Sequence, residues 1–208
     1  MAKYTGPACR QCRREGEKLF LKGSRCLSQK CALERRPNPP GVHKNTRKKA
    51  SEYSTQLREK QKTKRFYGLC EKQFKGYFNK ASKMRGMAGE NMLVLLERRL
   101  DNVVFRMGLC ASRAQARQVV NHGLITVNGK RVDIPSYLVS KGDVIAVKEN
   151  KTDKKVFAEI KGGTAKYVTA AWLNFDAEKL TATVVELPTR ADVGEHIEEH
   201  LIVELYSK

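Results

Sequence analysis

The sequence predicts an α+β fold. It has a cysteine-paired N-terminal segment with a basic arm, then an all-helical domain. A small inserted α/β module of helix, helix and hairpin follows, and a C-terminal helix packs back on the helical domain. Three observations predict this. Four of the six cysteines fall within the first 31 residues, as two close pairs. Residues 51–83 place apolar side chains at helical spacing and contain no proline. Residues 97–148 change period, from helical spacing to short β-branched runs around an Asn-Gly turn.

Cys9, Cys12, Cys26 and Cys31 are spaced C-x2-C-x13-C-x4-C. Two thiol pairs separated by a loop suit one tetrahedral zinc ion, each pair supplying two ligands. Zinc binds thiolates, and Arg10, Arg13, Arg14, Arg25 and Lys30 favour the ionised form. A disulfide framework or a redox C-x-x-C is the alternative. The first fits poorly with a chain read as cytosolic, and no βαβ pattern surrounds Cys9 and Cys12 to support the second. With four protein ligands the ion is expected to be structural and to stabilise a segment (1–45) short of apolar mass. Cys70 and Cys110 stand alone in sequence and read as small buried residues.

Pro37, Pro39 and Pro40 forbid a helix and predict an extended linker. The run HKNTRKK (43–49) then reads as a basic arm. From Ser51 or Ser54, either able to cap, a helix is predicted to Gly68, with Arg58, Lys62 and Arg65 on successive turns. A second helix is predicted over 71–83, with Phe74, Tyr77 and Phe78 as its apolar stripe. Those aromatics can stack bases, but at this spacing they read as core. Lys83 and Arg85 follow, before a break at 86–91, and 92–96 opens the next helix.

In the module, Ser112 reads as the N-cap of an Ala-rich helix over 113–121, and Gly123 as its C′ residue. Strand 124–127, a type I′ turn at Asn128-Gly129 and a return strand from Lys130 make a hairpin. Arg113 and Arg117, four apart, share a helix face, and the hairpin tip adds Lys130 and Arg131. Four cations presented together suit the phosphates of folded RNA. Beyond the module, 149–155 reads as a loop, 167–175 and 180–187 as strands, 188–190 as a turn and 192–206 as the final helix. The apolar stripe of that helix is Val193, Ile197, Leu201 and Leu205. His196 and His200 formally fit an inverted zinc-peptidase motif, but no third ligand has an evident source, so they read as surface residues.

Charge is distributed unevenly. The formal net charge is +19, with +17 in residues 1–90, +7 in 91–175 and −5 in 176–208. The N-terminal half is therefore a polyanion-binding candidate, and nucleic acid is the expected partner. No window approaches the ~20 apolar residues of a spanning helix, and Met1–Pro7 lacks the apolar stretch of a signal peptide. A cytosolic protein is the expectation. No phosphate-cradling glycine loop, nucleophile elbow or carboxylate pair is visible, so no enzyme activity is expected.

The stretch RLDNVVFRMG…SRAQARQVVNHGLITVNGKRV…SYLVSKGDVI resembles the small RNA-binding module named after small-subunit ribosomal protein four. That module also occurs in pseudouridine synthases and some tRNA synthetases. The flanks are more specific. MAKYTGP, RREG, QLREKQK, YG (67–68), GEN (89–91) and HLIVELYSK resemble the bacterial small-subunit ribosomal protein four family from first residue to last. The resemblance implies a structural, primary 16S rRNA-binding protein that nucleates 30S assembly from a multi-helix junction of the 5′ domain. It implies a place beside incoming mRNA with ribosomal proteins three and five, and an influence on accuracy through protein five. In some bacteria such a protein also represses its own operon.

The resemblance carries the family's zinc ligands onto Cys9, Cys12, Cys26 and Cys31, and its mRNA-facing cations onto Lys44, Arg47, Lys48 and Lys49. That patch is lysine-rich here, and lysine supplies charge without bidentate geometry. Candidate rRNA contacts are Arg10, Arg13, Arg14, Arg58, Lys62, Arg65, Lys83, Arg85, Arg113, Arg117, Lys130 and Arg131. Glu195, Glu198 and Glu199 are candidates for the protein contact. The expected domains are a zinc knuckle and arm (1–45), a helical domain (46–96, completed by 192–208) and the module with extra strands (97–191, core 97–148). The alternative is a stand-alone structured-RNA-binding translation or RNA-processing factor.

Overall fold

The computed structural model describes residues 3–41, 49, 51–152, 157, 169–194 and 196–207. Lys44, Arg47, Lys48, Glu195 and the first residues of the expected strand 167–175 lie outside these. The chain divides into two compact units, Met1–Met92 with Glu195–Lys208, and Leu93–Gly194.

The first unit is helical. Its N-terminal segment forms α1 (Ala8–Glu15), α2 (Ser24–Leu27) and α3 (Ala32–Arg35). Next come α4 (Glu52–Phe66), α5 (Glu71–Ala81) and the start of α6 (Ala88–Glu97), which runs on into the second unit. Ser51 caps α4, its side chain accepting the Ser54 N–H at 3.3 Å. Glu52 in the first turn and Lys64 and Arg65 in the last complement the helix dipole. On α5, Phe74, Tyr77, Phe78 and Ala81 are buried, so the aromatic stripe is core.

The final helix, α9 (Glu199–Ser207), starts seven residues later than the sequence predicts. Residues 191–193 form a 3-10 turn, and Gly194 takes a left-handed φ of 67°, which breaks the helical path. Tyr206 of α9 stacks on Phe78 with ring centroids 4.7 Å apart. Gln56 donates to both Glu52 and Glu204 at 3.0 Å, and the Glu198 N–H donates to Glu59 at 3.1 Å. Gly89 lets α6 and α9 approach closely, since a Cβ there would stand 2.8 Å from Cγ of Glu199.

The second unit continues through α7 (Leu100–Arg106) and α8 (Arg113–Asn121) to a five-stranded antiparallel sheet. Its strands are β1 (Ile125–Val127), β2 (Lys130–Arg131), β3 (Val144–Val147), β4 (Leu173–Asp176) and β5 (Thr181–Val184), in the order β2-β1-β3-β5-β4. Register is Val127↔Lys130, Ile125↔Val147, Ile145↔Ala182 and Leu173↔Val184. Alternation sends Ile125, Val127, Ile145, Val147, Ala182 and Val184 to one face. They share a core with Leu100, Val103, Val104, Met107, Val119 and Val120. Residues 149–151, expected as loop, form a 3-10 turn, and the strands at 173 and 181 are shorter than predicted. Cys110 is buried in this core, and burial pushes its thiol up to about 12.

Candidate nucleic-acid interface

The 3-residue spacing puts Cys9 and Cys12 on one side of α1. Gly16, with φ 79°, ends that helix and donates to the Cys12 carbonyl at 2.8 Å. Cys26 lies in α2, where its Sγ accepts the Lys22 N–H at 3.4 Å, and Cys31 stands at the N-cap position of α3 without a side-chain cap bond. All four thiols are free of disulfides. The Cys12 thiol is pushed up by burial and further by the negative charge of Cys26, Cys9 and Cys31, against a lowering N–H from Leu19. Cys9, Cys26 and Cys31 thus all act electrostatically on Cys12. Among the described residues, however, no three His, Cys, Asp or Glu side chains are grouped so as to hold a metal ion.

Beside this segment runs a concave groove of about 630 Å³. Lys3, Arg10 and Arg14 line one side, and Lys64 and Arg65 of α4 the other. Glu15, at the end of α1, holds the two sides together through ion pairs to Arg65 and to Arg58, the latter at 3.4 Å. Its side chain is 1% exposed. Arg13 turns away, donating from Nε to the Asn38 carbonyl at 2.9 Å, and lines a second hollow with Arg35 and Arg36. Lys62 pairs with Glu59 (3.2 Å) and Glu17 (3.3 Å). Lys49, Lys83 and Arg85 are exposed.

Of the predicted cations in this unit, the structure thus brings Arg10, Arg14 and Arg65 to one groove. Arg58 and Lys62 instead hold acidic partners of the N-terminal segment. Sequence reasoning missed Lys3 and Lys64 as groove residues; Lys64 stands next to Arg65 and three residues after Gln61, the other α4 residues lining it. Glu198 is partly exposed, and Glu199 rests against Gly89.

In the second unit the expected N-cap is present, Ser112 accepting the Gln115 N–H at 3.3 Å. Arg113 stacks on Phe105, 4.5 Å from the ring centre, and donates from Nε to Asn102 Oδ1 at 2.8 Å. Asn102 in turn donates to the buried Glu97 at 2.7 Å, whose carboxylate also takes both arms of Arg106 at 2.9 Å. Arg117 departs from the sequence expectation. It is 6% exposed and donates to Asp101, a carboxylate already gripped by Arg99 at 2.6 Å. A shared face at i and i+4 still contains a buried edge and an exposed edge, and Arg117 lies on the buried one.

Lys130 and Arg131 are exposed on β2. The turn before them has φ 50° at Asn128 and 76° at Gly129, as type I′ requires. The Arg131 guanidinium lies over Gly123, where an added Cβ would collide with it. Arg131 also pairs with Asp133 at 3.3 Å. Among the described residues no helix is long and apolar enough to cross a membrane.

Two family models match in tandem. The ribosomal protein S4/S9 N-terminal domain matches residues 3–97 and the S4 domain residues 98–145. Small ribosomal subunit protein uS4 of Caldicellulosiruptor saccharolyticus is 61% identical over 208 residues, covering 100% of both chains. The proteins of the same name from Acetivibrio thermocellus and Halothermothrix orenii are 58% and 57% identical, again over 100% of both chains. This chain belongs to the small ribosomal subunit protein uS4 family.

Proposed function

We propose that this chain is a structural constituent of the small ribosomal subunit in the cytoplasm, a primary binder of 16S rRNA that nucleates 30S assembly. It lies beside incoming mRNA and influences accuracy through ribosomal protein five, with protein three as a further neighbour. The observation that carries the reading is identity above half to uS4 relatives over the full length of both chains. The basic groove supports it physically.

RNA affinity arises from phosphate contacts by Lys3, Arg10, Arg14, Lys64 and Arg65 in one unit and by Arg113, Lys130 and Arg131 in the other. Each contact releases condensed counterions, so binding weakens steeply with salt. Selectivity comes from the shape of the RNA junction, since side chains cannot read the deep, narrow major groove of A-form helices. Lys44, Arg47, Lys48 and Lys49 are the cations assigned to mRNA. Glu195, Glu198 and Glu199 are assigned to protein five. The reading assigns the chain no catalytic step.

One structural zinc ion on Cys9, Cys12, Cys26 and Cys31 is part of the proposal. Four thiols in two close sequence pairs amid arginines fit its donor preference. When bound, zinc supplies cross-linking energy to a segment with little core of its own. The zinc content of purified protein, and loss of α1 helicity on chelation, test it.

The function is tested by filter binding to a transcript of the 16S 5′-domain junction, with an equally long duplex as competitor. Binding that survives the competitor is expected. Equal binding to both RNAs would reduce the protein to a generic basic RNA binder.

A further inference from the structure

The hairpin that presents Lys130 and Arg131 is a thin device. β2 is two residues long, both exposed, and among the described residues pairs only with β1. A two-residue type I′ turn needs only two residues that tolerate positive φ, and Gly-Gly would serve. Asn128 does more. Its Oδ1 accepts the Val144 N–H at 2.9 Å, and its Nδ2 donates to Asp143 Oδ1 at 2.9 Å. Both functions of the amide are thus used, on Val144 at the start of β3 and on Asp143 just before it.

Asp143 is itself fixed. Its second carboxylate oxygen accepts the Ser140 N–H at 2.8 Å, its N–H donates to the Ser140 carbonyl at 3.1 Å, and its carbonyl accepts the Val184 N–H at 3.0 Å. A chain of hydrogen bonds therefore runs from β5 through Asp143 and Asn128 to the turn that aims the two cations. The charge of Asp143 has the wrong sign for this place. A carboxylate beside phosphate-binding cations opposes a polyanion. Its contribution must be geometric if it helps binding at all.

We propose that Asp143 is a positioning residue for RNA: through Asn128 it fixes the hairpin tip so that Lys130 and Arg131 meet the phosphates pre-aligned. The proposal rests on the reading that these two cations face RNA. A pre-ordered tip avoids the entropic cost of ordering two long side chains and a turn at the moment of binding.

The test uses the full-length chain and a transcript of the 16S 5′-domain junction at fixed salt. Four variants are compared with wild type: D143A, N128G, K130A/R131A and D143A/K130A/R131A. N128G suits the positive φ of the turn while removing the side-chain link, at the cost of some added backbone freedom, so it serves if D143A folds poorly. D143A and N128G are each expected to weaken binding about three- to tenfold, from the loss of hydrogen bonds that hold the tip. K130A/R131A is expected to weaken it about tenfold or more. In that background D143A should add nothing further, because its effect passes through the two cations.

Tighter or unchanged binding by both D143A and N128G, with K130A/R131A weakened, overturns the positioning role and leaves the RNA face standing. An additive loss in the triple variant overturns it too, since Asp143 would then act elsewhere. Unchanged binding by K130A/R131A removes the RNA face and the positioning role together.

Discussion

Glu15 and Arg65 meet in an ion pair whose carboxylate is 1% exposed. Arg58 reaches the same oxygen at 3.4 Å. Burial raises the Glu15 carboxyl by more than Arg65, Arg58 and Arg14 lower it. The ionised form is held at a net cost, so the pair aligns α1 and α4 more than it stabilises them. E15Q is therefore expected to change the unfolding free energy by less than about 1 kcal/mol at pH 7. Because the folded pKa lies above the unfolded one, Glu15's contribution is most favourable at low pH and is lost as pH rises through the folded value. Urea denaturation at pH 5 and pH 7 checks both sign and size; a loss of several kcal/mol at pH 7 would refute the reading.

Glu71 has the opposite linkage. Burial works to raise its carboxyl, but hydrogen bonds from Lys60 (2.7 Å), Lys64 (2.8 Å) and Tyr206 (2.9 Å) outweigh it and bring the pKa to about 2. Its stabilisation is present above the ordinary carboxylate range and is lost as pH falls toward 2. With the side chain 45% exposed, solvent screening leaves E71Q a cost of about 1 kcal/mol at pH 7. The gap between E71Q and wild type should shrink steadily from pH 5 to pH 3 in chemical denaturation. A constant gap would mean that the charge is not what matters.

Arg113 and Arg117 separate binding from folding. R113A is expected to weaken junction binding a few-fold, to lower the salt slope by about 1, and to cost about 1 kcal/mol from its lost bond to Asn102 and its stacking on Phe105. R117A is expected to cost about 2–3 kcal/mol by removing one cation from the buried Asp101, and to leave the salt slope intact. Thermal unfolding and filter binding over a salt series, run on both variants, distinguish them. The reverse pattern would exchange their roles.

Gly123 is needed twice over. Its φ is 63°, and its open face receives the Arg131 guanidinium. G123A is expected to cost about 1–2 kcal/mol from backbone strain and displacement of Arg131. Adding R131A relieves the collision but not the strain, so G123A/R131A should recover only part of the loss. Full recovery in thermal melts would assign the whole cost to the side chain.

Local signals were legible where chemistry and geometry coincide within a few residues. Ser51 and Ser112 cap their helices, the α5 stripe is core, and Asn128-Gly129 makes the turn. Signals that depend on distant partners were not. Nothing near Arg117 marks it as buried, because its partner Asp101 is sixteen residues away. Arg58 and Lys62 look like free cations on α4 until Glu15 and Glu17 fold against them. The final helix looks continuous from 192 because its apolar period is kept, yet Gly194 turns left-handed and resets it. α1 was hidden by cysteines and arginines that carry no apolar stripe.

The burial of Cys110 gives the protein an internal clock. A thiol pushed up to about 12 and sealed in the core reacts with alkylating reagents only when the core around it opens. Pulse labelling followed by mass mapping would therefore time the unfolding of the second unit alone.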